Sequence, residues 1–190
     1  MRNLLLTIMF LGVTGIFLLF WVTQPEVFTK KTSYNSSVID TKFDSYMLNI
    51  SMLEFNKEGT LASKIEAANT SYFKTNNRLK FTKPKFTHYQ TKDSIKPWHL
   101  KAAKGETTND GKSILFKEDV YAWKDLTNGG KSEFRTEELI LHPSKHTIET
   151  DHKVRVISPN GESVGVGMKG NLNTEVFKLL SEVQGVIHGR

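Results

Sequence analysis

From Leu4 to Val22 the chain carries no charge, and almost everything after it is polar, basic and alternating. An uncharged apolar run of this length crosses the hydrocarbon core of a bilayer as a helix. Thr7, Gly12, Thr14 and Gly15 interrupt it, and small or hydroxylated residues are tolerated in membrane helices because their polar groups bond back to the backbone. Trp21 closes the run where aromatic rings favour the headgroup region, and Pro25 blocks continuation of the helix. A cleaved signal peptide has an apolar region of roughly 7–15 residues ending in small residues. Here the run is longer, and Trp21-Val22-Thr23-Gln24-Pro25 offers no such site. Residues 1–23 are therefore expected to be an uncleaved anchor, residues 24–41 a polar linker, and residues 42–190 one exported domain. Arg2 precedes the run and Lys30 and Lys31 follow it, so the charge bias is small; the three-residue head favours an inside tail.

The domain reads as strands. Tyr46, Leu48, Ile50 and Met52 alternate with Met47, Asn49, Ser51 and Leu53, which predicts one face for the first set. Asn56-Lys57-Glu58-Gly59 is a turn, and Leu61 to Tyr72 is its return. Leu79 and Phe81 alternate with Lys80 and Thr82 until Pro84, which suits an edge or a bulge. Trp98, Leu100 and Ala102, then Ile114 to Phe116, then Val120 to Trp123, continue the pattern between Asn109-Asp110-Gly111 and Asn128-Gly129-Gly130. Such Asn/Asp-Gly pairs mark hairpins. Val154 and Val156 lead to Pro159-Asn160-Gly161, and Val164, Val166 and Met168 alternate after it. Ala67-Ala68…Leu79-Lys80-Phe81 recurs 35 residues later as Ala102-Ala103…Ile114-Leu115-Phe116, as stacked hairpin units would. The spacing of Val176, Phe177, Leu179, Leu180 and Val183 predicts a short terminal helix, capped near Asn173 or Thr174 and ended by Gly185. The fold class is all-β: a sandwich, jelly roll or open-ended sheet stack.

No catalytic pattern emerges. His142 and His146 have helical metal spacing, but Pro143 between them argues against a helix and hence against a metal site. Gly165-Val166-Gly167 lacks the third glycine and the helix of a phosphate loop. Neither Ser158 nor Ser163 sits in a nucleophile elbow. Glu137 and Glu138 point to opposite faces of a strand. Neither enzyme activity nor a cofactor is expected. The net charge of +6 favours an acidic partner such as anionic lipid or phosphorylated glycan, although strand lysines also discourage edge pairing. Nothing resembles a nucleic-acid module. With no cysteine there is no disulfide framework.

Three stretches carry a family resemblance. Ile95-Lys96-Pro97-Trp98-His99-Leu100-Lys101-Ala102-Ala103-Lys104, with Thr108-Asn109-Asp110, resembles the Pro-x-Trp-x-x-x-Ala segment of the LptC family. Gly165-Val166-Gly167-Met168-Lys169-Gly170-Asn171-Leu172 resembles its Gly-x-x-Met-Arg-Gly-Asn-Leu motif, and Asn56-Lys57-Glu58-Gly59 its early turn. The resemblance implies an inner-membrane anchor helix and a periplasmic twisted β-jelly roll, open and V-shaped. It also implies a relay that receives lipopolysaccharide from an ABC transporter and passes it to a bridge protein of the same fold. The alternative is a membrane-anchored scaffold joining β domains without carrying lipid. The groove positions of the family fall on Ile50 and Phe81. With the apolar phase around them, Leu48, Ile50, Met52, Phe81, Trp98 and Phe116 are the expected lipid-lining residues. The transporter would meet the edge near Tyr46. The bridge protein would meet Gly165, Met168, Gly170, Asn171, Leu172 and Phe177. This chain departs from the family at Lys117-Glu118-Asp119-Val120, where the family often carries a glycine before the valine, and at Ser158-Pro159-Asn160, where it commonly has a glycine turn.

Overall fold

The computed structural model describes residues 12–14, 43–90, 96–108, 111–127 and 129–187. Residues 12–14 are helical; the rest of the expected anchor and the whole expected linker lie outside the described residues. Among the described residues no helix is long and apolar enough to cross a membrane. Contacts divide the chain into Met1–Ile39 and Asp40–Arg190, and the second unit holds the strands.

They are β1 (Ser45–Phe55), β2 (Leu61–Phe73), β3 (Arg78–Thr82), β4 (Lys85–His88), β5 (Trp98–Lys101), β6 (Lys104–Thr108), β7 (Ser113–Asp125), β8 (Lys131–His142), β9 (Thr147–Ser158), β10 (Gly161–Asn171) and β11 (Val176–Ile187). All belong to one antiparallel 11-stranded sheet. The long strands each serve two half-sheets. One end of β2 pairs with β3 and the other with β4. One end of β7 pairs with β6 and the other with β5. Since β3 pairs with β6 and β4 with β5, the hydrogen-bond ladder closes into a ring from β2 to β7. β1 extends it on one side, and β8 to β11 on the other.

A strand that passes between half-sheets must bend, and the bends are visible as left-handed residues. Asn49 in β1, Lys83 between β3 and β4, Glu118 and Asp119 in β7, Gly167 in β10 and Glu182 in β11 all have positive φ. Extra residues at such bulges shift which side chains point inward. In β2 the buried positions run Ser63, Ile65, Ala67 and then Thr70. Two register rows result. Met47, Thr70, Phe81, Gly105, Phe116 and Leu139 line up across one half-sheet. Met52, Ile65, Phe86, Leu100, Ala122, Phe134 and Val156 line up across the other. These rows make the core, in which Phe116, Leu139, Leu141 and Val154 are 0% exposed. Gly105 makes room between two rings: a Cβ there would lie 3.2 Å from the Pro84 ring and 3.5 Å from Phe81.

Two sequence expectations fail. The C-terminal segment is not a helix but the edge strand β11. Its apolar spacing fits both periods, and the open edge of β10 offers its backbone a ladder that a short helix could not match. The predicted cap residues sit instead in a turn, where Asn171 Oδ1 accepts the Asn173 and Thr174 N–H groups at 2.9 and 3.0 Å. The single face expected for Tyr46, Leu48, Ile50 and Met52 also breaks, because Asn49 sits at φ 49 and flips the phase. Met47, Ile50 and Met52 take the inward register, while Leu48 aligns with outward Asn69 and Thr82.

The bend at the glycine-less position is present nonetheless. Glu118 and Asp119 adopt φ 64 and 55. The Glu118 carbonyl accepts the Ala103 N–H at 2.9 Å, and its carboxylate meets Lys104 Nζ at 2.7 Å. Left-handed backbone at a β-carbon residue costs about 1–2 kcal/mol, and glycine escapes that cost at the expense of unfolded-state freedom. Asp119→Gly is therefore expected to raise the unfolding free energy by about 0.5–1 kcal/mol, read from denaturant midpoints.

Candidate functional site

The inward face is mostly apolar, interrupted by buried Ser63, Thr70, Lys124, Thr136 and Thr150, and it differs between its two ends. At the β1 end it is open: Met47 is 38% and Met52 42% exposed, and Ile50 is half-buried. Flexible thioether side chains adapt to irregular apolar shapes. Deeper in, Phe81, Trp98 and Phe116 are 3%, 5% and 0% exposed. The interior is closed there. The void among Phe86, Trp98, Leu100, Phe134, Leu141 and Ile148 is about 10 Å³, space for one water at most.

The closure is made by the β10–β11 turn. Leu172 is buried, and its N–H donates to the His146 carbonyl at 2.8 Å. Gln90 Nε2 donates to the Leu172 carbonyl at 2.8 Å and to Glu175 Oε1 at 2.7 Å. His88 Nε2 meets Asn173 Oδ1 at 2.8 Å. The Lys124 ammonium pairs with Glu175. Phe177 adds apolar contact, its ring 5.1 Å from Trp98 and 6.0 Å from Phe134. The half-sheet of β4 and β5 is thereby fastened to turns at the far end of the other. Burial pushes the His88 imidazole below its usual value, against the Asn173 hydrogen bond, and nearby His146 pushes it the same way. Thr70 Oγ1, Thr136 Oγ1 and Trp98 Nε1 are buried polar atoms without a hydrogen-bond partner among the described residues.

The expected lining residues separate accordingly. Ile50, Met52, Phe81, Trp98 and Phe116 share the inward face, whereas Leu48 lies on the opposite one. Of the expected partner residues, Tyr46 is exposed, while Gly165, Met168, Gly170 and Leu172 are buried. The terminal motif has a local explanation. A Cβ at Gly170 would lie 2.3 Å from the Phe177 ring, Asn171 caps the turn, and Leu172 fills the interior. Met47, Gln90, Lys124 and Glu175 escape sequence reasoning. Only Met47 carried a signal, since asparagine tolerates the left-handed conformation that Asn49 adopts. His142 contacts Ser113 and Glu149, while His146 stands at φ 53 after the Pro143–Lys145 turn.

A family model described as "Lipopolysaccharide-assembly, LptC-related" matches residues 6–188. The lipopolysaccharide export system protein LptC of Escherichia coli K12 is 26% identical over 133 residues, covering 70% of this chain and 68% of that one. The Shigella flexneri protein of the same description matches to the same extent. A solved structure has a similar fold: LptH of Pseudomonas aeruginosa, described as the LptA homologous periplasmic component of the conserved lipopolysaccharide transport device. It has a TM-score of 0.52 and 7% identity, over 67% of this chain and 95% of that one.

Two outcomes follow from this geometry. Gly170→Ala is expected to cost about 1–3 kcal/mol of stability through overpacking, and Phe177→Ala in the same chain to recover part of it, read by a double-mutant cycle in denaturant. His88 binds its proton more weakly folded than unfolded, where its value is 6.5. Its contribution is therefore fully present above about pH 6.5 and is lost as pH falls from there toward the lowered value. The unfolding midpoint should fall as pH is lowered below about 6.5, and His88→Asn should flatten that fall. His99, lowered in the same sense by burial, accounts for a remainder.

Proposed function

The chain belongs to the LptC-related lipopolysaccharide-assembly family, and from that premise we propose that it is a membrane-anchored relay for lipopolysaccharide. Residues 1–23 would anchor it in the inner membrane, residues 24–41 would space the domain, and residues 42–190 would stand in the periplasm as a β-jelly roll. Lipopolysaccharide would arrive from an ABC transporter at the β1 edge. It would leave to a bridge protein of the same fold at the β10–β11 edge.

The observation that carries this reading is the continuity of the inward face. A largely apolar surface runs from the exposed Met47 and Met52 and the half-buried Ile50 to the buried Phe81 and Phe116, in a continuous register through Thr70. Acyl chains laid on it would be shielded at about 0.8 kcal/mol per buried CH₂. A multi-chain lipid so held does not leave quickly unaided, so ATP hydrolysis in the transporter would supply the push. Among the described residues both sheet ends are free edges: β1 and β11 each pair on one side only. A free edge accepts another strand, and that is the means proposed for both partner contacts. Gly165, Met168, Gly170, Asn171, Leu172 and Phe177 would then act by seating β11 rather than by touching the partner.

The scaffold reading draws on one observation, the closed interior around Trp98 and Phe134. In a relay the two half-sheets must part there as lipid passes.

Photo-crosslinking in membranes with the transporter separates the two. Photoreactive residues at Ile50 and Phe81 are expected to give ATP-dependent adducts with lipopolysaccharide, and one at outward Leu48 none. Partner adducts from the β1 and β11 edges without any lipid adduct from Ile50 or Phe81 would leave the scaffold reading in place.

A further inference from the structure

Lys124 is a charged residue on the wrong face. It follows Val120 and Ala122 on the inward side of β7 and is 6% exposed. The β5–β7 register sets His99 opposite Trp123, so Trp98 is the inward neighbour of Lys124. The Trp98 indole N–H is buried and has no acceptor among the described residues. The register thus sets a buried ammonium-bearing residue and a buried indole at neighbouring inward positions, at the border of the apolar interior. A buried ammonium is retained only with an anion beside it. Here that anion is Glu175, carried on the β10–β11 turn and 37% exposed at its side chain, against 7% for Lys124. The cation is fixed in the sheet while the anion arrives on a turn. A cleft open to solvent, lined by Gln90, Lys96, Lys124, Asn173, Thr174 and Glu175, leads to the pair.

We propose that Lys124, with the Trp98 indole N–H, is a receptor for the phosphate of a phosphorylated lipid, and that Glu175 occupies it as an internal anion while the interior is closed. This rests on the relay reading. A lipid whose chains enter beside Trp98 and Phe177 places its phosphate at this border. There it replaces the Glu175 carboxylate at the ammonium, and Gln90 loses one of its two acceptors. The turn that seals the interior is thereby released by the molecule that needs it open. The geometry makes the preference chemical: an anion of tetrahedral oxygens satisfies both donors, and a neutral sugar does not displace a carboxylate from an ammonium.

The test is equilibrium binding by the full chain in detergent. The probes are lipopolysaccharide and the same lipopolysaccharide stripped of its phosphates by phosphatase. Wild type is expected to prefer the phosphorylated lipid. Glu175→Gln, at an exposed turn position that keeps a hydrogen bond for Gln90, should tighten phosphorylated lipid by about tenfold and leave the stripped lipid unchanged. Lys124→Gln should abolish the preference. A Lys124→Gln chain that keeps the full preference, or a Glu175→Gln chain that shifts both lipids alike, overturns the proposal while leaving the relay intact. Should Lys124→Gln fail to fold, the Glu175→Gln result alone decides. Inorganic phosphate that titrates Glu175→Gln as tightly as the lipid does would overturn the assignment to a lipid-borne anion. A wild-type chain that binds neither lipid defeats the relay reading itself.

Discussion

The bend halfway along each long strand holds the rest of this domain in place. A strand has a period of two, so a strand that passes from one half-sheet to the next without an extra residue would carry its polar side into the core. Bulged residues at Asn49 and Glu118-Asp119 absorb that mismatch in β1 and β7, which keep apolar side chains inward on both sides of the bend. The ladder closed from β2 through β3, β6, β7, β5 and β4 makes these corrections mutually dependent. A bend that slipped in one strand would misplace its partner's row. Glu118 illustrates the point. Its strained backbone is held by an N–H from Ala103 and an ion pair with Lys104, both from the neighbouring turn.

The same arrangement leaves the two ends of the sheet different. At β1 the inward face meets solvent through methionines and Ile50. At the other end β11 lies close on β10 because Gly165, Gly167 and Gly170 leave room for Leu179, Leu180 and Phe177. The turn between those strands then reaches the half-sheet of β4 and β5. Its hold on Gln90, His88 and Lys124 is polar and directional, whereas the core behind it is apolar. Polar closure over an apolar interior can be undone by competition for its hydrogen bonds, without breaking the packing of Phe116 or Leu139.

Much of this was legible in residue order. Turn residues marked the hairpins correctly at Asn56 to Gly59, where Asn56 Oδ1 accepts the Glu58 and Thr60 N–H groups at 3.1 and 2.9 Å. The repeat between Phe81 and Phe116 proved physical, since the two rings flank Gly105 in one register row. The helix expected at the C-terminus did not form. Val176 to Ile187 satisfies both periods, and only the vacant edge of β10 chose between them. The phase of β1 failed for a related reason. A bulge is a backbone event, and an asparagine such as Asn49 permits a left-handed residue in a strand without requiring one.

Residue order by itself determined an apolar run separate from a strand-rich domain, the positions of the hairpins, the aromatic identity of the core and the family. These are local or compositional properties, and a strand's alternation or a turn's asparagine acts within a few residues. Tertiary structure alone decided which side of each bend faces inward, that the last segment is a strand, and that Lys124 meets Glu175 across fifty-one positions of sequence. Those depend on closing the ladder between β2 and β7 and on pairing β11 with the edge of β10. Closure is a non-local condition, and no window of sequence contains both of its ends.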